Sequence, residues 1–160
     1  RGAVEFNPQI YKLSEVVKQN EVVLNDYAAQ KKIELTMQIP EQLQVFADIE
    51  MLNTILRNLI SNGIKFTHIG GKVIVTAIER DAEILISIQD FGIGMNEKIL
   101  NGLFKIDQKT ARPGTEKESS TGLGLLLCKE FVEKHGGKVW AESEEEKGSI
   151  FYFTLPNRSL

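Results

Sequence analysis

Asn58, Asn62 and Lys65 stand four and then three residues apart in "NLISNGIKFT". Two carboxamides and an ammonium on one stripe can face a metal ion and phosphate oxygens together. A carboxamide offers a neutral oxygen to a hard cation, and Mg²⁺ usually takes only one or two protein ligands beside phosphates and waters. The second candidate is Asp90, at the head of "DFGIGM". A carboxylate at the floor of a pocket accepts a hydrogen bond from an amino group. Adenine carries one at its six-position, where guanine has a carbonyl oxygen that a carboxylate repels. The charge-assisted bond is worth about 1.5–3 kcal/mol, a preference of roughly tenfold to a hundredfold. Gly92 and Gly94 after it permit a sharp turn and a close approach of backbone to a flat ligand. The third candidate, "STGLGL", is a glycine-rich entry into a helix. Free N–H groups at a positive dipole end suit a phosphate, although the string is neither a P-loop nor a dinucleotide fingerprint. Each candidate has a plainer reading: a solvated helix face, an ordinary Asp-Gly-type turn, a flexible hinge.

The asparagine stripe needs a helix to exist. Asn62-Gly63 between apolar residues is by itself a hairpin signal. Against it, Leu52, Ile55, Leu56, Leu59 and Ile60 recur at amphipathic-helix spacing and fit no strand register, and Asp48 is a good N-cap. The sequence therefore predicts a helix from Ile49 to about Phe66. At ~100° per residue, Asn58, Asn62 and Lys65 fall within roughly 60° of one another beside its apolar stripe. Gly63 costs a helix about 1 kcal/mol relative to Ala, and close approach of a ligand or another element is the reason expected for it.

Other segments frame these candidates. Apolar periodicity predicts a helix from Leu13 to about Gln30, and alternation predicts strands in "KKIELTMQIP", "QVFAD", "KVIVTAIE" and "EILISIQ". A short helix is expected over Glu97–Leu103. The polar, aperiodic "KIDQKTARPGTEKESS" has the length of a functional lid or a disordered connection. A helix from near Gly122 ends at Gly136-Gly137, and "KVWAES" and "SIFYFTLP" close the chain as a strand pair. Helices on one face of a mixed sheet, an α+β fold, follow from this order.

Composition narrows the function. The 160 residues suit one domain with its own core, and 42% hydrophobic with 26% charged residues is the balance of a soluble globular protein. No apolar run approaches the roughly 18 residues of a membrane span, and no signal peptide is visible. A net charge of −3 without a basic stripe argues against nucleic acid. The single cysteine, Cys128, cannot form an internal disulfide and reads as a buried structural thiol in a reducing, cytoplasmic compartment.

Taken in order, these segments resemble the ATP-binding catalytic domain of sensor histidine kinases, of the GHKL superfamily. "NLISNGIKF" looks like the family's N-box, "DFGIGM" like its first glycine box, "LFKID" like its F-box and "STGLGLLLCKEFVEKHGG" like its second glycine box. "FNPQIYKLSEVV" and "GSIFYFTLP" are similar to the family's edges, so the likeness covers nearly the whole chain.

The resemblance implies a two-layer α/β sandwich of the Bergerat type that binds ATP with Mg²⁺. It assigns Asn62 to the metal, with Asn58 and Lys65 near the phosphates, and Asp90 to adenine in a pocket shaped by Gly92 and Gly94 and lined by Phe66. Phe104 would anchor a lid over about residues 104–121, which Thr121, Gly122, Leu123 and Gly124 would close over the phosphates. Gly63 departs from the alanine common in the family, at a cost to the helix rather than to chemistry. Related ATPases carry a water-activating glutamate where this chain has Asn58, so the site suits phosphoryl donation rather than hydrolysis. The implied partners are a histidine on a separate helical phosphoacceptor domain of the same parent protein, and a response regulator downstream. No nucleic acid and no membrane contact by this segment are expected, the parent sensor being either soluble or membrane-anchored. His68 and His135 lie near predicted helix ends and outside any His-Glu phosphoacceptor motif, so neither reads as the acceptor.

Overall fold

Asp48 begins the element on which the site depends. Its side chain accepts the Met51 N–H at 3.1 Å, the N-cap the sequence predicts, and its second oxygen accepts the Asn7 N–H at 2.9 Å. From there Met51, Leu52, Ile55, Leu56, Leu59, Ile60 and Ile64 turn one continuous face into the core. Each such side chain contributes about 1.5–3 kcal/mol by leaving water.

The computed structural model describes residues 5–105, 112, 114–116 and 123–159. In chain order these form β1 (Pro8–Lys12), α1 (Leu13–Gln30), β2 (Glu34–Gln38), β3 (Gln44–Asp48), α2 (Ile49–Lys65), β4 (Lys72–Arg80), β5 (Glu83–Asp90), α3 (Glu97–Gly102), α4 (Leu123–Lys134), β6 (Val139–Glu144) and β7 (Gly148–Pro156). A five-stranded sheet runs β2-β4-β5-β7-β6, and β1 pairs with β3 in a separate two-stranded ribbon. Only β2–β4 is parallel in the larger sheet, so the sheet is mixed.

Strand alternation decides which face of the sheet is covered. Val73, Val75 and Ala77 of β4, Ile84, Ile86 and Ile88 of β5 and Phe151, Phe153 and Leu155 of β7 share one face by register and are buried. Helices α2 and α4 pack on that face, with α1 against α2, giving the two-layer α/β arrangement. The other face carries Trp140 stacked on Tyr152, and Ile78 half-exposed.

Strand β1 is not anticipated by the sequence. It begins at a proline, as edge strands tolerate, and both Gln9 and Ile10 are exposed, so no alternation announces it. Gly63 also differs from expectation. A methyl there would meet the Val73 and Asp90 side chains at 3.5–3.7 Å, ordinary contact, so close approach does not account for the glycine.

Candidate functional site

Three chain segments meet at one end of the sheet: the last turns of α2, the end of β5 with the loop after it, and the first turn of α4. Asn58, Asn62 and Lys65 are half-buried on one side of α2. Asn58 Nδ2 donates to the Thr54 carbonyl one turn back at 2.9 Å, which fixes the carboxamide. Its Oδ1 faces α4 so closely that a Cβ on Gly124 would stand 2.6 Å away. The packing of α4 on α2 thus brings Asn58 and Gly124 together. Asn62's carboxamide is hydrogen-bonded to no described residue. Glu50, in the first turn, is the one acid on α2.

Asp90 closes β5 and is 5% exposed. Its Oδ1 accepts two backbone N–H groups, from Gly92 at 3.0 Å and from Ser149 at 3.3 Å. Burial pushes its pKa up to about 6, while those N–H groups and the Arg112 guanidinium pull the other way. Desolvation wins because only one oxygen is served. Oδ2 takes no hydrogen bond from a described residue and is the atom left to meet a donor.

The loop after Asp90 is held on both sides. A Cβ on Gly92 would collide with the Phe66 carbonyl oxygen, and that oxygen accepts the Ile93 N–H at 3.0 Å. Gly94 has φ +64°, and a Cβ there would run into the Glu144 carbonyl, while Glu146 N–H donates to Ile93 O at 2.8 Å. The loop therefore sits wedged between the end of α2 and the β6–β7 turn, which is why both positions need glycine. Met95 N–H donates to Ser143 Oγ at 2.8 Å, and that hydroxyl bonds Ser149 Oγ at 2.8 Å.

Phe66 is buried after α2, with the Lys65 ammonium 6.0 Å and the Arg112 guanidinium carbon 4.1 Å from its ring centre. Burial lowers the Arg112 pKa and nearby Asp90 raises it. Phe104 packs edge-on against Phe151, ring centres 6.5 Å apart, so it touches the sheet core. Leu123 opens α4 and is exposed. Thr121 and Gly122 lie outside the described residues, as does most of the 104–121 stretch.

Sequence reasoning missed Ser149, Ser143 and Thr67. Ser149 faces Asp90 across the β5–β7 ladder, a pairing of residues 59 apart that no local pattern announces. Thr67 is buried, its hydroxyl donating to Gly63 O at 2.7 Å. Cys128 and His135 are structural. Cys128 is fully buried and its thiol is pushed up to about 12 by burial. His135 accepts the Asp48 N–H on Nε2 at 3.0 Å, so Nδ1 carries the proton donated to Phe131 O at 2.7 Å. His68 is exposed.

The donor set fits a magnesium–nucleotide more closely than a protein-caged metal. Among the described residues no three His, Cys, Asp or Glu side chains converge on a metal position. Asn62 offers one neutral oxygen, the kind of ligation Mg²⁺ accepts when phosphates and water complete its sphere. No helix among the described residues is long and apolar enough to cross a membrane.

Comparison with known proteins gives a consistent picture. Residues 47–159 match the family described as histidine kinase-, DNA gyrase B- and HSP90-like ATPase. The adaptive-response sensory kinase SasA of Prochlorococcus marinus (strain MIT 9313) is 36% identical over 153 residues, covering 94% of this chain. The chain spans 41% of that relative's length. The nucleotide-free catalytic domain of histidine kinase ThkA superposes with a TM-score of 0.80 at 26% identity, covering 96% of this chain and 98% of that one. ThkA is also known in complex with the response regulator protein TrrA, where the TM-score is 0.77 at 25% identity over 96% of this chain and 42% of that one. Full-length ShkA in complex with AMPPNP matches at TM-score 0.80 and 26% identity, over 99% of this chain and 33% of that one.

Proposed function

Because this chain belongs to the histidine kinase-, DNA gyrase B- and HSP90-like ATPase family, as an ATP-binding domain of the sensor-kinase type, we propose that it binds Mg-ATP and hands the γ-phosphoryl group to a histidine on a separate helical domain of its parent protein. The observation that carries the nucleotide reading is Asp90: a buried carboxylate with both backbone N–H groups on Oδ1 and Oδ2 left for an amino group. Adenine presents such a group, and guanine presents an oxygen in its place.

In this reading Asp90 Oδ2 accepts the adenine amino group, and Gly92 and Gly94 shape its pocket by letting the loop wedge between α2 and the β6–β7 turn. Phe66 supplies an apolar wall, and Phe104 fixes the start of the lid. Asn62 Oδ1 holds Mg²⁺, while Asn58 and Lys65 orient and neutralise phosphate oxygens, with Leu123 and Gly124 at the first turn of α4 beside them. When bound, Mg²⁺ neutralises negative charge on the phosphate oxygens.

Asn58 sets the direction of the chemistry. A carboxamide takes no proton from water at neutral pH, and no acid on α2 stands near it. Phosphoryl transfer asks for positioning and charge neutralisation more than for covalent help, so the γ-phosphoryl is kept for a stronger nucleophile, an imidazole nitrogen. His135 cannot supply it, since both ring nitrogens are engaged in the fold. His68 is exposed but lies outside any His-Glu phosphoacceptor motif, so the acceptor is assigned to the parent's helical domain, with a response regulator as the next recipient. A cytoplasmic setting supplies the ATP.

Calorimetry tests the metal assignment. Asn62→Ala should keep Mg-free nucleotide binding and lose most of the Mg²⁺-dependent increment. An unchanged Mg²⁺ dependence would remove Asn62 from the metal.

A further inference from the structure

Lys31 follows the last residue of α1 and is 5% exposed, an uncommon place for a lysine. Its Nζ donates to the Ile64 and Lys65 carbonyls, each at 3.0 Å, and to Thr115 Oγ1 at 2.7 Å. The two carbonyls belong to the last turn of α2, where a cation complements the helix dipole. Thr115 is tied down twice more. Its N–H donates to Lys65 O at 3.0 Å, and its hydroxyl, while accepting from Lys31, donates to Thr67 O at 2.9 Å.

Three residues earlier, Arg112 donates to Gly94 O at 3.0 Å and lies over the Phe66 ring. Residues 112 and 114–116 are thus fastened at one end to the loop after Asp90 and at the other to the end of α2. Gly114 between them is buried. Lys31 falls in a segment read from the sequence as a strand and Thr115 in the stretch read as a lid, and neither residue is assigned a role there.

We propose that Lys31 is a positioning residue: by bridging the end of α2 to Thr115, it holds residues 112 and 114–116 beside the nucleotide pocket and sets how long a nucleotide is retained. This rests on the nucleotide-binding reading above. A wall segment that is already fastened needs less ordering when ligand arrives, so cutting the clasp speeds release and barely changes capture.

The test uses the whole chain as wild type, Thr115→Val, Thr115→Ser and Lys31→Met. The probe is a non-hydrolysable ATP analogue with Mg²⁺, followed by calorimetry and by chase of a fluorescent derivative. Thr115→Val removes the hydroxyl at nearly constant shape. It should bind about three- to tenfold more weakly through faster release, with Lys31→Met alike, while Thr115→Ser stays within about twofold of wild type. A general loss of packing would not be rescued by serine. Folded Thr115→Val with wild-type affinity and release, or a serine variant no better than valine, overturns the proposal alone. If Lys31→Met does not fold, the Thr115 pair decides. A wild-type chain that binds no nucleotide overturns the functional reading and this proposal together.

Discussion

Asp90→Asn should make the protein more stable and less able to bind adenine. Asp90 Oδ1 already takes both backbone N–H groups, so an asparagine can keep those bonds and put its NH₂ where Oδ2 stands. Burial has raised the carboxyl from 3.8 to about 6. About two pKa units correspond to about 3 kcal/mol of cost for keeping the group ionised at pH 7. The amide pays part of that desolvation itself, which leaves a gain of about 1–2 kcal/mol, or roughly 2–8 °C in Tm for a chain of this size. The sign can be checked against pH. A group with a raised folded pKa contributes stability that is full below its unfolded value and lost as pH rises through the folded one. The advantage of the variant over wild type is therefore complete well above pH 6, shrinks through pH 6 and is gone below about pH 4. Adenine affinity should fall about tenfold to a hundredfold, because a donor replaces an acceptor opposite the amino group. Thermal melts across pH and calorimetry with Mg-ATP read the two effects. A lowered Tm at pH 7 with unchanged affinity would refute the reasoning.

Two glycines should answer oppositely to the same change. Gly63→Ala places a methyl in ordinary contact with Val73 and Asp90, so the helix gain of about 0.5–1 kcal/mol should raise Tm by roughly 1–4 °C with nucleotide affinity unchanged; a fall in Tm would show hidden strain. Gly92→Ala drives a Cβ into the Phe66 carbonyl and should cost about 1–3 kcal/mol or more, with nucleotide binding weakened in the folded fraction; a wild-type melt and affinity would contradict the wedged loop.

What the sequence makes legible follows the range of the interactions. Helix α2 announces itself because its cap at Asp48 and its apolar period lie within one short stretch. Asp90 stands out because a strand ending in a carboxylate before two glycines is a local pattern. Ser149 reaches Asp90 only through the β5–β7 register, and Lys31 reaches Thr115 across 84 residues, so neither leaves a local trace. Strand β1 is silent for a different reason: an edge strand with exposed neighbours carries no alternation to read. Gly63 shows the opposite failure, a local cost to which the sequence attached a cause that packing does not supply.

Transfer itself is the most direct test of the central claim. The chain is mixed with the helical phosphoacceptor domain proposed for its parent protein, Mg²⁺ and γ-labelled ATP, and both proteins and free phosphate are followed over time. Label should accumulate on a histidine of the helical domain, in a linkage labile to acid, with little free phosphate and none on this chain. Rapid release of labelled phosphate with no label on the helical domain would contradict the account.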